Sequence, residues 1–499
     1  MNFSPRILAA SAVIGLGGIV LAGCSTSDVT SDTDSTSSTA STTTDSAVPA
    51  VWDSSELHTI ELDYDESDYD SLISSYLNSG EKVWISATVT IDGETFEDVG
   101  LKIKGNSSVR GLSEDEDATV SAEHPEDLPW IIRLDKYVDD QSMDGATEFV
   151  VRGNSSETSL NEAVALDLLS DAGLAAEEAI AVSFTAGDSE PALRLVVENP
   201  NDEWMERELG DGLLWKAESP GTWDYIDDDP ESYMEAFDQE GGDDNYVPLI
   251  DFLEFVNNSD DDTFGSDLDE RLDVESFATY LAYQNVIDNF DDIDGLGNNS
   301  YLYWDTDTEQ MTVVNWDLNL AFGQENIDAG ATAGAGAQAG RGGALPGGDA
   351  QAGGDRPGRG ELPDGAALPD DATLPEEATL PEDGALPELP DGAALPDGAA
   401  LPTDGALPDD AAAAGDRAGG GGGGQGGSNI LSERFLANDD FMAMYDAAVA
   451  SLTESLFTSG TAQESLDAWS SLLTSDASSL VDPDVVATEA QTLSDKFPS

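Results

Sequence analysis

The stretch from Asn326 to Ser428 limits what the rest of the chain can build. Its centre repeats a short unit, ALPDGAALPDDATLPEEATLPEDGALP, and Gly-rich runs flank it. A proline every few residues removes backbone donors and forbids helix interiors and central strands. The composition predicts a disordered acidic insertion, not a domain. Such an insertion is tolerated in a surface loop, because loop-closure entropy grows only slowly with length. Ser25 to Ala50 is Ser, Thr and Asp with almost nothing apolar, and reads as a flexible tether. Any fold must therefore be assembled from residues 51–325 and 429–499, which makes the insertion an excursion from one domain.

The 499 residues include 103 acidic and 18 basic side chains, for a formal net charge of -85. Nucleic-acid binding is excluded on this balance, since neutralising phosphates needs basic surface. A strong negative field instead favours solubility and an affinity for cations. Met1 to Cys24 reads as a targeting segment, with Arg6 before an apolar run from Ile7 to Leu21. It ends in Leu21-Ala22-Gly23-Cys24, which resembles a bacterial lipobox and implies a lipid on Cys24. Cys24 is the only cysteine, so an internal disulfide is excluded. The expectation is an extracytoplasmic protein, lipid-anchored to the bacterial cell membrane and monomeric. No later apolar run approaches membrane-spanning length.

Periodicity predicts an α+β fold with a helical C-terminal region. Alternating patterns place strands at Leu57–Leu62, Lys82–Ile91, Thr95–Lys104, Trp130–Tyr137, Thr147–Arg152, Ala179–Ala186 and Ala192–Glu198. Asp92-Gly93 is a hairpin signal. Helices are expected at Ser67–Leu77, at Ser159–Ala172 with Gly173 as its stop, and at Val274–Asn289. Four more helical patterns follow Asn429, at Ile430–Leu436, Asp439–Phe457, Ala462–Leu473 and Asp484–Phe497. Trp223 to Asp262, acidic and aromatic, reads either as a groove lining or as a cap on the core.

Two features carry chemistry. The first is Asn285 to Gly323, NVIDNFDDIDGLGNNSYLYWDTDTEQMTVVNWDLNLAFG. Carboxylates and amides stand at the ends of two apolar strands, Ser300–Trp304 and Met311–Trp316, where they can converge on one hard cation. Asp317 lies between Trp316 and Leu318 at the end of a strand that should be buried, so its charge must be paired or metal-bound. The second is basic. Six of the 18 basic residues fall between Lys102 and Arg152, and Lys104 leads into Gly105-Asn106-Ser107-Ser108. A lysine entering a Gly/Ser turn can approach a phosphate through its ammonium and backbone N–H groups. Asp292-Ile293-Asp294-Gly295 suits a calcium loop poorly, because Phe290 stands where that loop needs its first carboxylate. The two histidines, His58 and His124, have no nucleophile beside them.

The first feature resembles the CotH (spore-coat protein H) kinase family. The matching residues are Phe290-Asp291, Asn299-Ser300-Tyr301-Leu302-Tyr303, and Trp316-Asp317-Leu318-Asn319-Leu320-Ala321-Phe322-Gly323. The resemblance extends over Leu57 to Gly323 and resumes in the helical tail. It implies an atypical protein-kinase-like, two-lobed fold that transfers a phosphoryl group from ATP to protein hydroxyls with Mg²⁺ or Mn²⁺. On that basis Asp291 matches the catalytic aspartate, and Asn299, Asp317 and Asn319 match the metal-binding positions. Lys104, Ser107, Arg133, Glu198 and Lys216 match positions bordering the nucleotide. Two positions depart from the family pattern. Asn319 replaces the second aspartate of Trp-Asp-x-Asp, and Ile131 stands where the family carries a lysine, with Arg133 two residues on. These departures also suit an inactive pseudokinase, cation-binding or scaffold protein on the cell surface.

Overall fold

The structure, a computed structural model, describes residues 48–105, 108–115, 118–153, 156–218, 222–293, 299–323 and 429–498. Cys24, residues 25–47 of the tether, Ser107 and the insertion from Asn326 to Ser428 lie outside the described residues. The chain divides into two units, residues 1–324 with 429–499, and residues 325–428. All described residues belong to the first.

Seven strands close a barrel. They are β1 (His58–Asp63), β2 (Ile85–Ile91), β3 (Glu94–Ile103), β4 (Trp130–Arg133), β5 (Glu148–Val151), β6 (Ala179–Ala186) and β7 (Ala192–Glu198). Their order around the barrel is β1-β2-β3-β4-β5-β7-β6. Closure comes from β1, which pairs antiparallel with β2 and parallel with β6, His58 opposite Val182. At the β2–β3 hairpin, Asp92 and Gly93 have φ of 48° and 84°. Two successive positive φ values match the twist of the flanking strands. The Asp92 carboxylate then binds His58 Nδ1 at 2.7 Å and the Thr59 amide at 2.8 Å, which fixes β1 on the hairpin. Ile60, Leu62, Val89, Ile91, Leu101, Ile103, Trp130, Ile132, Phe149, Val182 and Phe184 fill the interior. Helix α1 (Glu66–Ser79) covers one side, burying Leu72 and Ile73.

A second, four-stranded sheet has the order β11-β10-β8-β9, built from β8 (Gly212–Ala217), β9 (Phe237–Gly241), β10 (Ser300–Asp305) and β11 (Met311–Asn315). One face packs on α4 (Val247–Asn258), α5 (Asp261–Asp267), α6 (Val274–Val286), α7 (Ile430–Ala437) and α8 (Asp439–Leu452). Its other face carries Leu214, Tyr301, Tyr303 and Val314 against Trp204 of α3 (Asp202–Glu208) and Val150 of the barrel. The expected α+β class therefore holds, and the barrel accounts for most of the β content.

Against the outside of the barrel lies α2 (Leu160–Asp171), nine of whose twelve residues are buried. It shares a core with the outer faces of β6 and β7, with Leu318, Ala321 and Phe322, and with α9 (Thr461–Asp476) and α10 (Pro483–Ser494). The C-terminal helices are thus part of the same packed body as the barrel.

Three expectations are corrected. Residues 223–262 do more than cap the core. They form β9 and α4, and Tyr233, Phe237, Leu249, Phe252 and Leu253 are core residues. The strand expected to run from Trp130 to Tyr137 ends at Arg133, because the chain turns at once toward Asp140 and Asp144, both with positive φ. The helix expected to reach Asn289 ends at Val286, and Asp288 turns into the left-handed region with φ 49°. Among the described residues, no helix is long and apolar enough to cross a membrane.

Candidate functional site

The site forms where the loop after α6 meets the loop after β11. Residues 288–293 cannot continue α6, because Asp288 bends left-handed, so the chain is held by side chains instead. Asn289, Gln284 and Asn315 are all at most 3% exposed. Asn289 Nδ2 donates to Gln284 Oε1 at 2.8 Å, and Gln284 Nε2 donates to Asn315 Oδ1 at 2.5 Å. This buried amide relay ties the Asp291 loop to the end of β11, two residues before Asp317. Main-chain bonds repeat the tie: Phe322 N donates to Ile287 O at 2.5 Å and Gly323 N to Asp288 O at 3.0 Å. Buried amides without partners are costly, so such a relay fixes geometry as well as adding energy.

Asp291 stands on this frame. Asn299 Nδ2 donates to its backbone oxygen at 2.9 Å. Its carboxyl is pushed up to about 6, first by burial and then by the negative charge of Asp317, while a hydrogen bond from Asn299 opposes the rise. Asp291, Asn299 and Asp317 therefore share one neighbourhood. Phe290, next to Asp291, is 59% exposed.

Asp317 has φ +63°, a left-handed conformation that turns its carboxylate back toward the barrel. There it pairs with Arg152, which leaves the end of β5. The same guanidinium binds Glu162 of α2 at 2.8 Å, with side-chain exposures of 11% for Arg152 and 4% for Glu162. Burial alone would lower the Arg152 pKa, but the carboxylates of Asp317 and Glu162 outweigh it and keep the guanidinium charged. Burial raises the Glu162 carboxyl, and Arg152 pulls it back. From the same helix, Asn161 Nδ2 donates to the Asn319 backbone oxygen at 2.6 Å, so α2 grips the Asp317 loop twice.

Cations extend outward from this triad. The Trp316 ring has Lys104 Nζ 4.9 Å and the Arg152 guanidinium 5.8 Å from its centroid. Lys104 donates to Asn199 Oδ1 at 2.5 Å. Its ammonium is lowered to about 8, chiefly by burial and next by Lys216, with Arg152 contributing. Lys216 also lies near Lys82, and Lys82 near Lys102. Lys102 and Lys136 hold their ammoniums 4.5 and 4.9 Å from the Trp84 ring. Lys82, Lys102, Lys104, Lys136 and Lys216 are five of the chain's six lysines, the sixth being Lys496. In so acidic a chain, this concentration is a strong local field for a polyanion.

The structure treats the remaining expected residues differently. Arg133 is engaged by Asp135 at 2.8 Å and Glu148 at 3.3 Å. It reaches Lys104 only through Glu148 and Asn199, whose amide donates to Glu148 at 2.8 Å. Ile131 is buried at 7% exposure and supplies no polar group. Glu198 is held by both terminal nitrogens of Arg207, at 2.7 and 2.6 Å. It lines a separate acidic pocket with Glu148, Glu203 and Glu206, whereas its neighbour Val197 lines the cavity beside Arg152. Adjacent strand positions face opposite sides, which separates Glu198 from the triad. Lys216 is near Lys104 and paired with Glu218.

Glu177, 3% exposed, lines the cavity with Arg152, Glu162, Trp316 and Asp317. Among the described residues, neither of its carboxyl oxygens has a hydrogen-bond partner on another residue. Arg152 entered the sequence reading only as part of a basic cluster, and Glu162 and Glu177 did not enter it.

The arrangement defines a class before it defines a family: a carboxylate on an irregular loop, oxygen donors beside it, and a buried guanidinium–carboxylate pair backed by lysines. A family model described as CotH kinase protein matches residues 101–352, just over half of the chain. The chain belongs to the CotH kinase family and is a kinase-like protein. The match spans the barrel from β3 onward, α2, the second sheet, and the loops of Asp291 and Asp317. No curated protein matches the chain.

Proposed function

We propose that the protein is an ATP-dependent protein kinase that transfers phosphate to protein hydroxyls with Mg²⁺ or Mn²⁺. The observation that carries this reading is the Arg152–Glu162–Asp317 triad beside Asp291. Protein kinases need a cation paired with a helix carboxylate, an aspartate that holds the metal, and a second aspartate that accepts the substrate hydroxyl's proton. Arg152 with Glu162, Asp317 and Asp291 are candidates for these three roles. The basic residue missing at Ile131 is thereby supplied by a neighbouring strand. In this reading the barrel and the second sheet with its helices are the two lobes.

The donor set fits a hard cation, because Asp317, Asn299 and Asn319 offer only oxygen ligands of the kind Mg²⁺ takes. A bound divalent ion would neutralise charge on the transferring phosphoryl group. Arg152, Lys104 and Lys216 orient the phosphates. Arg152 reaches them from a carboxylate-clamped position and needs no reorganisation. Asp291 accepts the proton of the acceptor hydroxyl, and burial keeps that carboxyl basic enough to do so. Lipid attachment at Cys24 would hold the protein at a membrane surface, where its substrates would be other surface proteins.

The test is metal-dependent nucleotide binding and transfer by the purified full chain. ATP with Mg²⁺ or Mn²⁺ is expected to raise the melting temperature and to label protein hydroxyls. Asp317→Ala is expected to lose both effects, and Asp291→Asn to keep binding while losing transfer. Absence of nucleotide binding with either metal would overturn the kinase reading. The uncharged Asn319 favours one alternative, a metal-binding pseudokinase, which would bind nucleotide without transfer.

A further inference from the structure

Helix α2 is entered through residues held from outside it. Ser159 occupies its N-cap position, yet it has φ 54° and its side chain makes no capping hydrogen bond. The two residues before it, Glu157 and Thr158, are bound by Glu489 of α10. Its carboxylate accepts from Glu157 N and Thr158 N, each at 3.2 Å, and from the Thr158 hydroxyl. The Thr158 hydroxyl in turn accepts from Leu160 N, the first amide of the helix, at 3.3 Å, and a carboxylate close to a helix N-terminus complements the helix dipole. Here it comes from more than 300 positions away.

The same C-terminal region holds the rest of the site's frame. Asp167, further along α2, accepts from Ser465 Oγ at 2.6 Å and Trp469 Nε1 at 2.9 Å, both on α9. Beyond α10, Lys496 Nζ donates to Gly323 O at 3.3 Å, and the Phe497 ring lies 5.4 Å from that of Phe322. The tail therefore grips α2, which carries Glu162, and the end of the loop that carries Asp317. Apolar packing alone would explain the burial of these helices. It does not explain why a distant carboxylate holds Thr158, whose hydroxyl accepts from Leu160 N, one turn before Glu162.

We propose that Glu489 is a positioning residue for the site. By fixing Glu157 and Thr158 at the entry to α2, it sets Glu162 against Arg152 and so keeps Arg152 aligned with Asp317. Its effect on turnover rests on the phosphotransfer reading; its effect on the triad does not.

A double-mutant cycle on the full chain tests it, pairing Glu489→Ala with Glu162→Gln and reading the unfolding equilibrium in denaturant without nucleotide or metal. Sites with no shared partner add, and coupled sites do not. The expected result is non-additivity of at least about fivefold in the unfolding constant. Glu489→Gln keeps an acceptor oxygen for the amides and should restore most of the loss. Gln491→Ala, at an exposed position of α10 whose side chain donates to Asp495 just beyond the helix, should leave the triad untouched. In the transfer assay, Glu489→Ala should lower kcat about tenfold, the scale of a misplaced catalytic group, with nucleotide KM within about twofold. Additive energies, or an unchanged kcat in an active protein, would overturn the positioning role. A wild-type chain that transfers no phosphate would overturn the kinase reading, while the cycle would still decide Glu489.

Discussion

Glu177 offers a direct test of how the cavity beside Arg152 is charged. It is 3% exposed and its carboxyl is pushed up to about 8, first by burial and then by Glu198 and Glu162. The folded protein therefore holds it neutral at pH values where an unfolded chain, with a carboxyl near 4.5, has already released the proton. Below that lower value both states are protonated, and the site costs nothing. As pH rises toward 8, the unfolded state is favoured by about 1.4 kcal/mol per unit. Between pH 5 and 8 this amounts to about 4 kcal/mol of lost stability, as an upper bound for one buried carboxyl. Denaturant unfolding of the wild type and Glu177→Gln at unit pH steps reads this out. Gln adds a constant penalty for its buried amide but no slope. The large negative charge of the chain acts on both proteins alike, so the difference between the two curves isolates residue 177. Curves that stay parallel within about 1 kcal/mol across this range would refute the reasoning, given the slope expected from linkage.

Two further predictions concern the same neighbourhood. The Asp291 carboxyl should titrate near 6 in the metal-free chain by NMR, and Asn299→Ala should move that midpoint upward by removing the hydrogen bond that favours the charged form; a midpoint that falls would contradict the assignment. Arg152→Met strands the Glu162 carboxylate in a site only 4% exposed; it should cost about 3–5 kcal/mol in denaturant unfolding, with most of that recovered by adding Glu162→Leu.

Much of the strand content was legible because burial alternates. β6 and β7 fall at Ala179–Ala186 and Ala192–Glu198, where the sequence pattern placed them. Helix α4 was readable in principle from Leu249, Ile250, Leu253 and Val256, but surrounding acids masked the period. The loops of Asp291 and Asp317 were also legible, because Asp317 stands where a buried strand ends. The Arg152 pairing was not. Its partner Asp317 lies 165 positions away, and no local window links them. Glu162 did leave a signal: α2 is apolar on almost every side, and a glutamate in such a helix needs a partner. Closure of the barrel could not be read from strand patterns, because it depends on one parallel pairing between distant strands. The hold of Glu489 on Thr158 was hidden behind Ser159, an ordinary capping residue whose side chain does not cap here.

That parallel pairing also sets the order in which the chain can mature. β1 has two neighbours, and its β2 edge is satisfied within a few tens of residues. Its other edge waits for β6, since His58 pairs with Val182, 182 − 58 = 124 positions later. At about 5–20 residues per second, the first strand spends about 6–25 seconds in a growing chain with an open edge. The barrel closes only when β7 has followed and joined β5 to β6, leaving no barrel strand for another copy to extend. Holdase demand should therefore peak before residue 198 emerges and fall once the barrel shuts.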